Sequence, residues 1–175
     1  VKLRLGDDDF KLPDFFNFCM MLTDGGVEQI VLHPRTKREK LSRPPRWHYV
    51  QDLCDWFSKE QGNLKVANKP KIILNGNVND VPSALAAIKT ASSADGIMLA
   101  RASAQKPWIF EQIRAAVENR PSKIAQIDLL QTAVDFLEDL RVYQPKEFWI
   151  TRMQRFFAYY CDNLKFGSYI KGKVL

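Results

Sequence analysis

The sequence predicts an α/β protein with a parallel sheet, followed by a small all-helical domain. Over the first hundred residues, short apolar runs rich in β-branched residues alternate with segments of helical spacing. Such alternation indicates βαβ units, because parallel strands need a crossover connection and a helix is the usual one. After Arg101, apolar residues recur only at helical spacing and no further strand-like run follows.

Four strands and three helices are expected in the first part of the chain. The strand candidates are apolar runs bounded by polar or glycine-containing turns: VKLRL at 1–5, QIVLH at 29–33, KIILN at 71–75 and GIMLA at 96–100. Apolar residues recur every three to four positions between them, which predicts helices over about 11–23, 47–61 and 80–91. Four such strands are too few to close a barrel.

The segments after Arg101 are predicted to be helical. QKPWIFEQIRAAVENR is typical of a helix with Pro107 near its first turn. Two further helices are indicated by apolar residues at helical spacing, namely Ile124, Ile127, Leu130, Val134 and Leu137, and then Trp149, Met153, Phe156, Tyr160 and Leu164.

A joint between two domains is expected near residue 120. Pro121 disfavours helical conformation at Arg120, and Ser122 can serve as the N-cap of a following helix. We therefore expect one domain at residues 1–119 and a second, helical domain at residues 120–175.

Composition excludes several classes of protein. The chain has 175 residues, 46% of them hydrophobic and 26% charged, which is typical of a globular protein. No apolar run approaches the roughly 20 residues of a membrane helix, and the first residues do not resemble a signal peptide. A cytoplasmic location is expected, with an organelle as the alternative. The three cysteines are far apart in sequence, which indicates core thiols rather than disulfides or a metal site.

The net charge of +6 is unevenly distributed. Residues 32–47 contain one acid, Glu39, and six basic residues: Arg35, Lys37, Arg38, Lys40, Arg43 and Arg46. Basic residues also outnumber acids between Tyr143 and Leu175. These concentrations favour a polyanionic partner, nucleic acid ahead of membrane. The alternative is that both are ordinary solvated surfaces.

Polar residues and glycines follow the predicted strands. In parallel α/β proteins the ligand sites gather at the carboxyl ends of the strands, where loops from different strands meet. The residues at or near these positions are Lys2, His33, Asn75, Gly76, Asn77, Ala100 and Arg101. A cation, hydrogen-bonding side chains and a glycine that permits close backbone approach suit a phosphorylated cofactor.

Taken in order, VKLRLG, LHPRT, Trp47, ILNGNV and GIMLARASAQKPWIF resemble the tRNA-dihydrouridine synthases. The resemblance extends from residue 1 to about residue 114, and TRMQRFFAYYCDNLKFG more loosely resembles the family's C-terminal helical domain. It implies the C-terminal half of a TIM (β/α)8 barrel followed by a small all-α domain that helps to hold tRNA. It also implies FMN at the barrel mouth, reduced by NADPH, and hydride transfer to a flipped-out uridine while a cysteine protonates the neighbouring carbon.

The resemblance assigns roles to particular residues. Lys2 corresponds to the lysine near the flavin ring, and His33 and Arg35 correspond to the HxR motif, whose arginine faces the RNA. Cofactor contacts are also implied for the NGD-type turn, which here is Asn75, Gly76 and Asn77. The phosphate site corresponds to Ala100 and Arg101. RNA contacts are expected from Arg35, Lys37, Arg38, Lys40, Arg152 and Arg155, the last two beside Tyr159 on one helix face. Two solvated arginines beside a packed tyrosine would have the same spacing.

Four positions depart from the family pattern. Asn77 replaces a common aspartate, which removes a charge, and Ala100 replaces a common glycine, which adds a methyl group. Phe156 and Phe157 stand where bacterial relatives tend to have a basic residue and a histidine. These changes leave open whether catalysis survives.

The family's catalytic cysteine and first barrel strands lie before the VKLRLG motif, at which this sequence begins. None of Cys19, Cys54 and Cys161 stands in the required setting. We therefore expect a fragment that lacks the N-terminal half-barrel and is inactive alone, with the missing half on the same or a separate polypeptide.

Two alternatives to this expectation remain. The chain could be a catalytically degenerate synthase-like module that acts as an RNA-binding or structural subunit of a larger RNA–protein assembly. An unrelated flavin- or phosphate-binding barrel enzyme would also have polar strand ends, but the HPR loop and the basic C-terminal helix would then be coincidences.

Overall fold

Four parallel strands form a single sheet in the order β1-β2-β3-β4 in the computed structural model of the chain. The strands are β1 (Lys2–Arg4), β2 (Gln29–His33), β3 (Lys71–Asn75) and β4 (Gly96–Met98). The structure describes residues 1–39, 42–66, 69–124 and 126–175. The prediction of an α/β fold with a parallel sheet is confirmed.

The strands are connected by three helices, α1 (Leu12–Asp24), α2 (His48–Lys59) and α3 (Val81–Thr90). The start of α3 is specified locally, because the Asp80 carboxylate accepts a hydrogen bond from the backbone N–H of Ser83 at 2.9 Å. The Ser83 hydroxyl oxygen in turn accepts one from the Asp80 N–H at 3.1 Å, which completes a capping box.

The main core lies between the sheet and α2. Leu32 and Leu74 on neighbouring strands are fully buried, as are Leu53 and Phe57 on α2. Burying a side chain of this kind contributes about 1.5–3 kcal/mol relative to leaving it exposed. Side chains alternate between the two faces along a strand. The neighbours in sequence of the core residues therefore lie on the opposite face of the sheet.

Packing divides the chain into two compact units, Val1–Leu99 and Ala100–Leu175. In the part of the second unit that the structure describes, the α-helices are α4 (Arg101–Gln105), α5 (Ile109–Val117), α6 (Leu129–Tyr143), α7 (Trp149–Tyr160) and α8 (Gly167–Val174), and no strand is present. The domain boundary expected between residues 119 and 120 lies inside this unit and stays a prediction. Within the described ranges, no helix is both long enough and apolar enough to cross a bilayer.

An aromatic stack forms the core of the second unit. The Phe136 ring on α6 lies parallel to the Phe156 ring on α7, with centroids 3.7 Å apart. Phe156 stacks in turn on Tyr160, with centroids 4.8 Å apart. Tyr160 is fully buried, and its hydroxyl donates a hydrogen bond to the Leu129 carbonyl at 2.6 Å. The stack therefore ties the start of α6 to the end of α7.

The segment that follows α5 is a hydrogen-bonded corner. Asn119 has a positive φ of 51°, and the Arg120 guanidinium contacts the Glu111 carboxylate at 2.7 Å. Ser122 does not cap a helix as expected; its hydroxyl accepts from the N–H of Ile124, two residues later. The cap of α6 is Asp128, whose carboxylate accepts from the Gln131 N–H at 2.9 Å. A local turn at Ser122 thus replaces the expected cap.

Replacing Glu111 with glutamine is expected to make the protein less sensitive to acid. The hydrogen bond from Arg120, together with that from the Lys123 N–H, lowers the pKa of Glu111 to about 2. A carboxyl group with a lowered folded-state pKa stabilises the protein above its ordinary pKa, and this contribution is lost as the pH falls towards the folded value. The difference in stability between wild type and Glu111→Gln should therefore shrink between about pH 5 and pH 2.

Thermal unfolding across this pH range measures the effect. Glu118→Gln is the matched control, because Glu118 also contacts Arg120 but its side chain is 51% exposed and water screens the pair. If the difference in stability between wild type and Glu111→Gln stayed constant with pH, the lowered pKa assigned to Glu111 would be contradicted.

Candidate functional site

Polar candidate residues share one face of the sheet. Arg4 is in register with His33, and the pairing of Leu32 with Leu74 places the next residues, His33 and Asn75, side by side on neighbouring strands. Lys2 lies two residues before Arg4 and therefore on the same face. Lys2 and Arg4 are exposed, whereas His33 and Asn75 are 7% and 6% exposed. This face therefore presents basic side chains on β1 beside a buried imidazole and a buried amide.

The turn after β3 requires a glycine. Gly76 has φ of 116°, and a Cβ there would lie 2.6 Å from Cδ2 of His33. Asn77 is also left-handed, with φ of 55°, a conformation that asparagine tolerates better than most residues. The side chain of Asn75 donates a hydrogen bond to the Met98 carbonyl at 2.8 Å. The imidazole, the turn and β4 are thus held at the carboxyl edge of the sheet.

Trp47 ties the basic loop to this turn. Its indole Nε1–H donates a hydrogen bond to the Gly76 carbonyl at 2.9 Å. The backbone N–H of the preceding residue, Arg46, donates to the Pro34 carbonyl at 3.1 Å. No local pattern in the sequence predicts the indole hydrogen bond, because it joins positions 29 residues apart.

Replacing Trp47 with phenylalanine is expected to lower the free energy of unfolding by about 1–3 kcal/mol. An aromatic ring is kept, but the Gly76 carbonyl loses its indole donor. Thermal unfolding measures the effect. Trp56→Phe on α2 is a control for loss of an indole, since Trp56 packs through its ring against Phe16 and Phe57. Equal losses in the two variants would show that ring size, not the hydrogen bond, matters at Trp47.

An acid organises the loop between β2 and α2. The Glu39 carboxylate accepts a hydrogen bond from the Thr36 N–H at 2.7 Å and contacts the Arg46 guanidinium at the same distance. The Thr36 bond, assisted by the charge of Arg46, lowers the pKa of Glu39, although burial acts in the opposite direction. Glu39, the only acid among residues 32–47, therefore forms these contacts within the loop.

Arg46 also lies beside two aromatic rings. Its guanidinium carbon lies 5.6 Å from the centre of the Phe10 ring and 5.4 Å from that of Tyr49, both within the range of cation–π attraction. The loop is joined to the end of β1 as well, because the Lys37 N–H donates to the Gly6 carbonyl at 2.8 Å. Arg46 thus helps to hold the loop in its conformation.

The remaining loop cations differ in exposure. Lys37, Arg38 and Arg43 are exposed, and the side chain of Arg38 is 81% exposed. Arg35 is only 1% exposed, a burial that the sequence did not predict. Lys40, an expected RNA contact, lies outside the described residues. The expected RNA contacts of this loop stay predictions.

The other site candidates lie in the second unit. Ala100 and Arg101 are both exposed, Ala100 at the start of α4 and Arg101 as its first residue. Arg152, Arg155 and Tyr159 are all exposed on α7, as expected for one solvent-facing side of that helix. Their roles in phosphate and RNA binding stay predictions.

Phe156 and Phe157 have a structural explanation. Phe157 packs edge to face against both Phe136 and Phe156, with centroids 6.3 and 5.2 Å away. The two phenylalanines therefore belong to the aromatic core of the second unit, and packing accounts for residues that depart from the resemblance.

The three cysteines are enclosed by protein. Cys19 and Cys161 are fully buried, and Cys54 is 2% exposed. Burial raises the pKa of Cys19 to about 12 and that of Cys54 to about 11, and it also raises that of Cys161. A thiol of this kind neither contacts a solvent-borne substrate nor ionises readily. Among the described residues, no group of three or more His, Cys, Asp or Glu side chains could hold a metal ion.

The fold is that of an α/β protein with polar side chains gathered at the carboxyl edge of a parallel sheet, where ligands of such proteins usually bind. The sequence model of dihydrouridine synthase (Dus) matches residues 1–156. The chain therefore belongs to the dihydrouridine synthase family.

Curated relatives agree with this assignment. The chain is 26% identical over 172 residues to "tRNA-dihydrouridine(47) synthase [NAD(P)(+)]" of Meyerozyma guilliermondii, and the match covers 95% of this chain and 27% of that protein. It is 31% identical to "Probable tRNA-dihydrouridine synthase" of Helicobacter pylori, over 81% of this chain and 40% of the relative. It is 32% identical to "tRNA-dihydrouridine(20/20a) synthase" of Xanthomonas campestris pv. campestris, over 79% of this chain and 40% of the relative. The matched region thus spans well under half the length of these three relatives.

The residues of the first unit fit the cofactor that the resemblance implies. A flavin nucleotide needs hydrogen-bonding groups at its ring edge and backbone that can approach closely. The exposed ammonium of Lys2, the buried side chains of His33 and Asn75, and the glycine at position 76 provide groups of these kinds on one face.

Proposed function

We propose that this chain forms the flavin-binding and RNA-binding part of a tRNA-dihydrouridine synthase. In this proposal the enzyme reduces uridine to 5,6-dihydrouridine in tRNA with FMN as cofactor and NADPH as reductant. The two units then correspond to the C-terminal half of a TIM barrel and to helical structure that follows it. The observation that supports the proposal best is the common sheet face of Lys2, His33 and Asn75, in a chain of this family.

The proposed cofactor contacts follow from the chemistry of each group. The Lys2 ammonium can donate to a carbonyl at the ring edge, and the polar atoms of His33, Asn75 and Asn77 can hydrogen-bond to the flavin. Gly76 leaves room because it has no side chain. Ala100 and Arg101 are proposed for the phosphate, through a backbone donor and a guanidinium. Bound FMN supplies the hydride for reduction.

The proposed RNA contacts include the exposed cations of the loop and of α7. Lys37 and Arg43 can neutralise phosphates, because the loop's acid is occupied within the loop. Arg38 lies 3.9 Å from the Asp8 carboxylate, but an exposed pair of this kind is weak and leaves the guanidinium able to contact phosphate. Arg152 and Arg155 on α7 are proposed as a second contact. Arg35 and Lys40 remain proposed from the family resemblance, Arg35 as the arginine of the HxR motif.

The proton donor is proposed to lie outside residues 1–175. All three thiols in this chain are buried, which keeps them from the neighbouring carbon of a bound uridine. We therefore propose that these residues are inactive alone and act together with a cysteine-bearing half-barrel of the same or another polypeptide. We propose that the protein acts in the compartment that contains its tRNA substrate, which is either the cytoplasm or an organelle.

Disruption of the gene that encodes this chain tests the proposal. Mass spectrometry of tRNA from the disrupted strain should show loss of dihydrouridine at one or more positions. The intact gene should restore the modification, and protein purified from that strain should release FMN on denaturation. Unchanged dihydrouridine would instead favour the degenerate RNA-binding module.

Complementation with Arg101→Ala examines the phosphate contact. Loss of a charge-assisted hydrogen bond costs about 1.5–3 kcal/mol, so flavin affinity should fall about 10- to 150-fold. Arg114→Ala is the matched control, because Arg114 is also an exposed arginine of the second unit. Equal flavin content in the two variants would remove Arg101 from the site.

A further inference from the structure

Two aromatic rings near the C-terminus lie in solvent. Phe166 and Tyr169 are 68% and 69% exposed, whereas most aromatic side chains of this size are largely buried. They are three positions apart at the start of α8. Their backbone is held in place by Gly167, which is buried against the backbone of Cys161. The rings are therefore presented by an ordered turn.

Each ring is accompanied by a lysine. Nζ of Lys165 lies 5.8 Å from the centre of the Phe166 ring, and Nζ of Lys173 lies 5.6 Å from that of the Tyr169 ring. Both lysines are exposed. We call Lys165, Phe166, Tyr169 and Lys173 the α8 surface. It combines two accessible π faces with two cations.

The charge around the α8 surface is mainly positive. Asp162 is the only acid between Cys161 and Leu175, and it already contacts Lys171 at 3.7 Å. An open depression of about 460 Å³ is lined by both rings and, among other residues, by Asp162, Leu164, Lys165 and Ser168. The surface thus offers space beside the rings and two lysines, Lys165 and Lys173, that can contact anions.

We propose that the α8 surface binds unpaired nucleotides of RNA. Bases stack on aromatic side chains whatever their identity, and nearby cations neutralise the backbone phosphates. A membrane is less suited, because lipid binding requires a wider apolar face than two rings with a lysine beside each. The proposal rests on the proposed function for the identity of the RNA as tRNA, and it adds a contact beyond residues 1–156, which the family model matches.

Fluorescence anisotropy of the full chain with a labelled single-stranded uridine oligonucleotide tests the proposal. The double variant Phe166→Ala/Tyr169→Ala should bind the oligonucleotide at least about tenfold more weakly, because stacking is lost. Binding of a duplex RNA of the same length should change little, because its bases are already stacked. Phe110→Ala is the control, since Phe110 is 54% exposed on α5 of the same unit.

A conservative variant separates stacking from folding. Phe166→Trp/Tyr169→Phe keeps both π faces and should bind the oligonucleotide about as tightly as wild type. Lys165→Gln/Lys173→Gln should lower the log–log salt slope by about 0.7 for each phosphate that is no longer neutralised. Lys59→Gln/Lys89→Gln, which removes the same charge from α2 and α3, should leave the slope nearly unchanged.

Several outcomes would overturn the proposal. These are no oligonucleotide binding by wild type, equal losses in the alanine double variant and Phe110→Ala, or weak binding by the conservative variant when it is folded. Binding to phosphatidylserine vesicles that depends on the rings, with RNA binding unaffected, would assign the surface to a membrane instead. None of these measurements uses flavin or dihydrouridine, so failure here is distinct from failure of the proposed function.

Discussion

The substitution Gly167→Ala is expected to lower the free energy of unfolding of the second unit by about 3 kcal/mol. Gly167 packs so closely on the turn before α8 that an added Cβ would overlap the Cys161 carbonyl oxygen and lie 2.8 Å from its carbonyl carbon. Both atoms belong to the backbone and cannot move aside as the end of a flexible side chain can. The turn must open, and the packing around the buried Cys161 would be disturbed with it.

The same helix provides a matched control. Gly172 also lies in α8, but a Cβ there would meet nothing within 4 Å. Gly172→Ala should therefore be neutral or stabilise the protein by up to about 1 kcal/mol, because alanine favours helix. Urea unfolding of the two variants measures the difference. Similar stabilities for both would show that the turn at Cys161 adapts to a side chain.

The substitution Gly76→Ala is expected to destabilise the first unit by about 2–4 kcal/mol and to abolish flavin binding. Two costs combine at this turn. The backbone φ of 116° is unfavourable for a residue with a side chain, and the new Cβ would press on the His33 ring from 2.6 Å. Relief of this clash would displace the imidazole from the sheet face proposed to hold the cofactor.

Two other glycines separate these costs. Gly26 has a similar positive φ, 94°, but a Cβ there would have no neighbour within 4 Å, so Gly26→Ala should show the backbone cost of about 1–2 kcal/mol alone. Gly62→Ala, with neither problem, should be close to wild type. Thermal unfolding and flavin fluorescence titration measure stability and binding. If Gly76→Ala matches Gly26→Ala in stability, the clash with His33 adds nothing to the cost.

Much of the fold follows from local patterns in the sequence. The predicted bounds of β2 and β3 are confirmed, because an apolar run that ends at a polar residue or a turn marks each one. β1 and β4 are shorter than predicted, since ladder pairing stops before the ends of the apolar runs. The helix α7 is predicted by its apolar spacing, but Leu164 lies beyond its end.

Two helices were missed for different reasons. The helix α4 has only five residues, too few to show a period, and it follows directly after an apolar run. The helix α8 contains Gly167 and Gly172, both poor helix formers, and its exposed aromatic residue gives no amphipathic pattern. For α8, the close packing of Gly167 on the turn at Cys161, not local propensity, accounts for the helix.

The candidate site was predictable in composition but not in arrangement. The carboxyl ends of parallel strands indicated His33 and Asn75, since topology brings such ends to one edge. Burial of Arg35 and the bond from Trp47 to Gly76 depend on contacts between residues distant in sequence, which no local pattern encodes. The sequence thus identified chemical groups, whereas the structure identified the contacts that position them.

The aromatic stack has a consequence for the order of folding. Phe136, Phe156 and Tyr160 come from adjacent helices, so their contacts close one short loop. Pairing of Gln29 with Lys71 requires closure of the chain around all of α2, which is entropically costly before the strands meet. We therefore expect amide protons of α6 and α7 to gain protection from hydrogen exchange earlier during refolding than those of β2 and β3.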